Sequence, residues 1–87
     1  MLQYNFVAQK VFLVLAPGNS STAKVKVFLD GKQVSAFDAG SDVKDGVVNV
    51  DSDRLYNLID LHGKTENHLL RLEFQTLGTQ TFAFTFG

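Results

Sequence analysis

Residues 79–87 read Thr79-Gln80-Thr81-Phe82-Ala83-Phe84-Thr85-Phe86-Gly87, and this alternation of aromatic and small residues decides the fold class. Side chains two residues apart lie on the same face of a β-strand, so the three phenylalanines are predicted to share one face. An aromatic face of this kind is stable only when other apolar residues cover it. The stretch therefore predicts a strand that packs into the core of a β-protein.

Five further segments have the composition of strands, and turn-forming residues separate them. They are 4–8, 11–15, 24–29, 47–50 and 68–75. The segment 11–15 is apolar throughout, as in a strand covered on both faces, whereas 24–29 and 68–75 alternate apolar with polar residues. An Asp30-Gly31 pair follows the third of these segments and is a strong signal for a tight hairpin turn.

Strand 68–75 is predicted to pair with the final strand as a hairpin. Its inward residues Leu70, Leu72 and Phe74 would then share one apolar face with the three phenylalanines, and a second sheet would cover that face. The polar stretch 36–46 is predicted to be a loop anchored by Phe37 and Val43.

Two shorter signals lie elsewhere in the chain. The run 16–21 contains turn formers, and Leu55, Leu58 and Ile59 have the i, i+3, i+4 spacing of one or two helical turns. Taken together, the pattern predicts an all-β fold: an antiparallel β-sandwich of jelly-roll character with at most one short helical turn, in a single domain over residues 1–87.

Composition excludes several functional classes. A chain of 87 residues with 45% hydrophobic residues can bury one small core. A net charge of −1 gives no basic surface for nucleic acid. The absence of cysteine removes disulfides, thiolate metal sites and thiol redox chemistry. No apolar run is long enough to span a bilayer and no basic segment opens the chain, so neither membrane contact nor a signal peptide is expected.

Several stretches resemble one known family. They are Arg54-Leu55-Tyr56-Asn57-Leu58-Ile59, Leu69-Leu70-Arg71-Leu72-Glu73-Phe74 and the final Phe82-Ala83-Phe84-Thr85-Phe86-Gly87, with upstream support from 10–17, 25–31 and 40–43. Over about residues 4–87 the chain resembles the C-terminal domain of DipZ-type thiol:disulfide interchange proteins.

The resemblance implies a role beside a redox enzyme. In that family a membrane electron-transfer region and an extracytoplasmic thioredoxin-like domain precede a module similar to carbohydrate-binding modules. It therefore implies a C-terminal piece of a larger redox protein, a place in the cell envelope, a link to cytochrome c biogenesis and a thioredoxin-like domain as partner. The redox cysteines of such a protein would lie in the thioredoxin domain, so this chain is expected to be non-catalytic and to carry no cofactor.

Glycan binding makes specific demands on side chains. Sugar rings stack on exposed aromatic rings, and nearby polar groups bind their hydroxyls. Tyr56 and Phe37 are the candidate platforms, with Tyr4 as a third. The candidate hydrogen-bonding groups are Arg54, Asn57, Asp60 and Gln33. The alternative interpretation is that Tyr56 and Phe37 cap the core.

Metal binding and catalysis have weaker signals. Asp42, Asp45, Asp51 and Asp53 offer oxygen ligands for Ca²⁺, but their spacing does not match an EF-hand, and loop solvation with capping is the alternative. His62 and His68 lack a third ligand nearby in the sequence and are interpreted as surface histidines. No nucleophile-elbow or phosphate-binding motif occurs. The sequence thus leaves two hypotheses: a binding module, or a structural module that docks on the thioredoxin domain or mediates dimerisation.

Overall fold

The computed structural model describes residues 2–18, 22–76 and 78–87, with all their side chains except that of Phe82. Residues 19–21 of the predicted turn lie outside this description. Within it the chain is all-β, which confirms the predicted fold class. It forms nine strands: β1 (Leu2–Ala8), β2 (Lys10–Ala16), β3 (Ala23–Leu29), β4 (Lys32–Gln33), β5 (Val43–Lys44), β6 (Val47–Val50), β7 (Arg54–Asp60), β8 (Glu66–Phe74) and β9 (Gln80–Phe86).

The strands form two antiparallel sheets. The larger sheet has the order β1-β8-β3-β6-β5, with β4 attached to β3, and the smaller sheet has the order β7-β2-β9. Three of the pairings follow one rule, since β1 pairs with β8, β2 with β7 and β3 with β6. The first part of the chain therefore pairs with the later part in reverse order, as in one long hairpin wrapped into two layers.

The core lies between the two sheets and is apolar. Alternate residues of each strand face it, so that Val25 and Val27 of β3, Leu70 and Leu72 of β8, and Leu13 of β2 are at most 1% exposed. Among the described residues, no polar or charged residue is buried apart from Tyr56, whose hydroxyl is hydrogen-bonded. Burial of these aliphatic side chains is the main stabilising contribution to the fold.

The predicted hairpin of strands 68–75 and 80–86 is wrong. Strand β8 lies between β1 and β3 in the larger sheet, whereas β9 pairs with β2 in the smaller one. The short connection after Phe74 crosses from one layer to the other, so the apolar faces of β8 and β9 belong to opposite layers. Phe84 packs partly buried against the core, and Phe86 remains 37% exposed.

The predicted helical turn over 54–59 is also wrong, because this segment is strand β7. Its pairing with β2 shifts between Val11 and Phe12: Val11 lies opposite Ile59, and Phe12 lies opposite Asn57. Leu58 is thus an extra residue, a β-bulge, which turns both Leu58 and Ile59 into the core. The bulge explains the adjacent buried pair Leu58 and Ile59, whereas Leu55, the first residue of the helix-like spacing, is 45% exposed.

Two tight turns have the conformation that glycine favours. Asp30 and Gly31 connect β3 to β4 with φ of 54° and 86°, which confirms the predicted hairpin. Asp45 and Gly46 form a similar turn between β5 and β6 with φ of 53° and 75°. This second hairpin lies inside the segment predicted to be a loop.

The segment 35–42 runs along the outer edge of β7 and shapes one end of the molecule. Gly40 N donates to Leu58 O at 3.0 Å, and Asp60 N donates to Asp38 O at 3.0 Å. Of the two predicted anchors of this loop, Val43 is buried and is confirmed. Phe37 is 65% exposed, so its role as an anchor is wrong.

Candidate functional site

Phe37 lies with two other side chains at the end of β7. Its ring packs on the His62 ring with centroids 4.3 Å apart, and His62 Nε2 lies 2.5 Å from the Phe37 carbonyl oxygen. The Asp60 carboxylate accepts a hydrogen bond from His62 N at 3.0 Å. The structure therefore brings together two predicted ligand residues, Phe37 and Asp60, and adds His62 as the support of the aromatic ring.

An open depression of about 410 Å³ lies beside this loop. Phe37 is placed along the chain between two of its lining residues, Ser35 and Asp38. We call the depression together with Phe37 the loop site. The polar residues that line the depression are Asp30, Lys32, Gln33, Ser35, Asp38 and His68. They offer donors and acceptors of both charges within one concave surface.

His68 is the most constrained polar group of the loop site. Its Nδ1 contacts the Asp30 carboxylate, and its Nε2 lies 3.0 Å from Glu66 Oε1. Partial burial opposes a positive charge on the ring, but hydrogen bonds and charge attraction from the two carboxylates outweigh it and raise the pKa of His68. His68 therefore joins β8 to the turn between β3 and β4, and the two carboxylates favour its protonated form.

Asp30 is held from the other side by the backbone of β8. Its Oδ1 accepts a hydrogen bond from Leu69 N at 2.9 Å. This hydrogen bond, together with His68, lowers the pKa of Asp30 in spite of some desolvation. The carboxylate is thus charged over the physiological range and fixed in position at the wall of the depression.

The other predicted ligand residues form a separate group around Asp42. Arg54 Nη2 donates to Asp42 Oδ1 at 3.1 Å, and Asn57 N donates to Asp42 Oδ2 at 2.7 Å. Burial opposes the charge of Asp42, but these hydrogen bonds outweigh it and lower the pKa of the carboxyl group. Asn57 Oδ1 is buried beneath Gly40 and has no hydrogen-bond partner among the described residues. Arg54 and Asn57 therefore stabilise the segment 35–42. Outside the strand pairing, their hydrogen bonds go to Asp42 and Leu55, and within the described residues none joins them to Phe37.

Tyr56 cannot serve as a stacking platform, which corrects the sequence-based prediction for this residue. Its side chain is fully buried. The Arg54 guanidinium carbon lies 3.9 Å from the ring centroid, and the hydroxyl donates to Ser52 O at 2.8 Å. The alternative interpretation, that Tyr56 caps the core, describes its position. Tyr4, also considered as a platform, is 45% exposed on β1 and packs against Phe84.

The four aspartates proposed as Ca²⁺ ligands do not meet at one point. Asp42 contacts Arg54, Asp51 Oδ1 lies 3.2 Å from the Tyr56 hydroxyl, and Asp45 lies in the second tight turn. Asp53 is exposed. In the described part of the chain no three His, Cys, Asp or Glu side chains are grouped so as to hold a metal ion. The residues that the structure describes also include no helix long and apolar enough to cross a membrane.

The fold and the loop site together define a small two-sheet β-module with a polar depression at one end. Comparison with known families gives a match to the model described as "Thioredoxin like C-terminal domain", over residues 1–87. The chain therefore belongs to the thioredoxin-like C-terminal domain family. No curated protein and no solved structure matches the chain.

Membership of this family defines the general role of the chain. A domain of this family is an accessory module of a thioredoxin-family protein, and its companion is a thioredoxin-like domain of the parent protein. Sequence reasoning predicted a C-terminal domain of a thioredoxin-family protein, which the family match confirms, and named Phe37 as a candidate platform. Of the residues that line the depression, it named only Gln33 as a candidate ligand residue. The lining residues come from the end of β3, from β4 and the loop that follows it, and from β8. Only the pairing of β3 with β4 and with β8 brings them together.

Proposed function

We propose that the chain is a non-catalytic binding module of a DipZ-type thiol:disulfide interchange protein, and that the loop site binds a glycan or another component of the cell envelope. The observation that carries the proposal is the exposed Phe37 ring, on the same loop as Ser35 and Asp38, two residues that line a polar depression. An exposed ring supplies a face for a pyranose, while fixed carboxylates and amides can bind its hydroxyl groups. The module would act outside the cytoplasm, where the redox reaction of its parent protein takes place.

Strand pairing supports the comparison with carbohydrate-binding modules. Pairing of β1 with β8, β2 with β7 and β3 with β6 resembles the arrangement of a jelly roll, in which one long hairpin is wrapped into two layers. Lectin domains commonly use this architecture. The outer strands β4 and β5 depart from it, since each extends the larger sheet instead of forming a fourth pair.

The test is a titration of isotope-labelled protein with oligosaccharides and cell-wall fragments. We expect amide shifts in 30–38 and around His68, and a loss of binding of at least about fivefold in Phe37→Ala, because one stacked aromatic ring contributes about 1 kcal/mol or more. Leu55→Ala is the matched control, since Leu55 is also exposed, at 45%, and lies outside the loop site. Absence of shifts across the whole panel, or equal binding by both variants, would contradict the proposal.

A second candidate function is structural: the module docks on the thioredoxin domain or dimerises. The observation that favours it is the outer edge of β1, with which no described strand pairs, beside exposed aromatic rings. Adding the thioredoxin domain of the parent protein to labelled module tests the docking form. Shifts confined to the loop site would exclude docking through β1.

A further inference from the structure

The edge of β1 differs from the other sheet edges of the molecule. Among the described residues, β1 pairs only with β8, and this pairing is regular over all seven residues of the strand. The free edge of β7 is covered by the segment 35–42, β5 has only two residues, and the pairing of β9 with β2 has a register shift. Natural proteins protect exposed edges by covering, shortening or bulging them, or by placing charges on them. None of these devices is present on β1, whose sequence Leu2-Gln3-Tyr4-Asn5-Phe6-Val7-Ala8 is uncharged.

The hydrogen bonds of the neighbouring strand show which residues of β1 face outward. Asp30 N donates to Leu69 O, and Gln75 N donates to Lys24 O, so the odd-numbered residues of β8 direct their backbone groups toward β3. The even-numbered residues of β8 therefore bond to β1, where they lie opposite Leu2, Tyr4, Phe6 and Ala8. Because antiparallel strands alternate in this way, the backbone N–H and C=O groups of Gln3, Asn5 and Val7 point away from the sheet.

These outward groups match a second copy of the same strand. If two β1 strands pair antiparallel about a twofold axis at Asn5, Asn5 lies opposite itself and Gln3 lies opposite Val7 of the second copy. All the hydrogen-bonding groups of the two edges then pair, which gives about six backbone hydrogen bonds. The surface charges do not oppose this contact, since neither edge carries any.

The same register joins the aromatic side chains. Tyr4 would lie opposite Phe6 of the second copy, in the closely spaced type of antiparallel pair that favours aromatic contacts. Tyr4 is 45% exposed and packs on Phe84 and Phe86, with ring centroids 5.1 Å and 5.5 Å away. Phe6 packs on Phe86 as well, at 6.2 Å. Pairing at a register shifted by one residue would place Tyr4 opposite Asn5 or Val7, whose exposed side chains lie on the outer face.

From these features we infer that the chain forms a twofold dimer through antiparallel pairing of β1 with β1, centred on Asn5. The two larger sheets become one continuous sheet, and the exposed rings of Tyr4 and Phe86 lie in an aromatic layer beneath the junction. The inference develops the structural alternative of the proposed function, and none of the residues that line the depression of the loop site belongs to β1.

Charge exchange at the axis tests the inference. In Asn5→Lys two ammonium groups meet across the axis, and in Asn5→Asp two carboxylates do, so each variant alone should dimerise at least about fivefold more weakly than the wild type. An equimolar mixture of the two variants should restore association as a heterodimer, because the axis then joins opposite charges. Sedimentation over a range of concentrations measures the association of each variant and of their mixture. Circular dichroism verifies that each variant is folded.

Asn67→Lys is the matched control, because Asn67 is an exposed residue of the neighbouring strand β8 that lies opposite Val7, away from the free edge. This variant should dimerise like the wild type. A wild type that sediments as a monomer at every concentration would overturn the inference, as would a mixture that associates no better than its components. Pairing of the β1 edge with the thioredoxin domain alone would overturn it too. Glycan titration of Asn5→Lys keeps the two proposals separate, since loop-site binding should survive there whatever the oligomeric state.

Discussion

The hydroxyl of Tyr56 organises the turn that precedes β7. It accepts hydrogen bonds from the backbone amides of Asp51 and Ser52, at 3.1 Å and 3.3 Å, while the ring fills the core. One side chain thus fixes the entry of an edge strand and closes one end of the apolar layer. This explains why a tyrosine stands at a fully buried position.

Tyr56→Phe should therefore reduce the free energy of unfolding by about 1–2 kcal/mol, because two backbone amides lose their acceptor while the ring still fits the core. Urea denaturation measures the change. Tyr4→Phe is the matched control, since Tyr4 is 45% exposed and its hydroxyl can be replaced by water without burial of an unpaired group. Equal stability of Tyr56→Phe and wild type would mean that the hydroxyl does not hold the turn.

The contacts of His68 predict how stability depends on pH. The pKa of His68 is higher in the folded protein than in the unfolded chain, where it is about 6.5. The contribution of His68 to the free energy of unfolding is therefore complete below that pH, and it is lost as pH rises through the folded pKa. The lowered pKa of Asp30 means that its contribution is present above about 3.9 and is lost as pH falls through the folded pKa. Asp30 and His68 together therefore contribute most to the free energy of unfolding between about pH 3.9 and about pH 6.5.

Unfolding measurements at pH 5.5 and pH 8.5 test this prediction. His68→Gln should reduce the loss of stability between the two values, by an amount on the order of 1 kcal/mol, because Asp30 and Glu66 are half-exposed and solvent weakens the attraction. His62→Gln retains the cluster around His68 and should retain the loss. If His68→Gln and wild type changed in parallel, the cluster would not control the pH dependence.

At the scale of single elements, local sequence determines the turns well and the bulged strand poorly. The Asp30-Gly31 hairpin was predictable because a two-residue turn requires positive φ, which glycine adopts without strain. Strand β7 was not predictable as a strand, because the bulge at Leu58 breaks the alternation from which strands are recognised. Phe37 was recognised as a candidate platform because an aromatic residue within a polar loop is conspicuous. The rest of the loop site was hidden, because its residues meet only after β3 and β8 have paired.

Gly31 provides the prediction at this scale. A side chain at Gly31 would have open space around it, so the cost of Gly31→Val comes from the backbone, whose φ is 86°. We expect about 1–2 kcal/mol loss in the free energy of unfolding. Gly31→Asn should cost less, because asparagine adopts positive φ more readily. Thermal unfolding of both variants measures the difference, and equal costs would mean that backbone conformation does not limit this turn.

At the scale of the whole molecule, the alternation of apolar residues determined the all-β class but not which strands are neighbours. Leu70, Leu72, Phe84 and Phe86 would satisfy a hairpin of β8 and β9 as well as they satisfy two opposed layers, since both arrangements bury the same faces. The observed arrangement follows from competition for partners. Both sides of β8 are occupied, by β1 and by β3, so β9 pairs with β2 instead.

The reversed order of strand pairing also governs how the chain can assemble during synthesis. The pairing partner of β1 is β8, so β1 cannot pair with it until Glu66–Phe74 has been synthesised. Contacts between such distant segments form slowly, because a long loop must close before they contribute free energy. In the same way, the apolar strand β2 cannot pair with β7 until β7 has been synthesised. A nascent chain of this module therefore leaves β1 and β2 without their later partners for most of its synthesis, and this is the period when a chaperone would protect them.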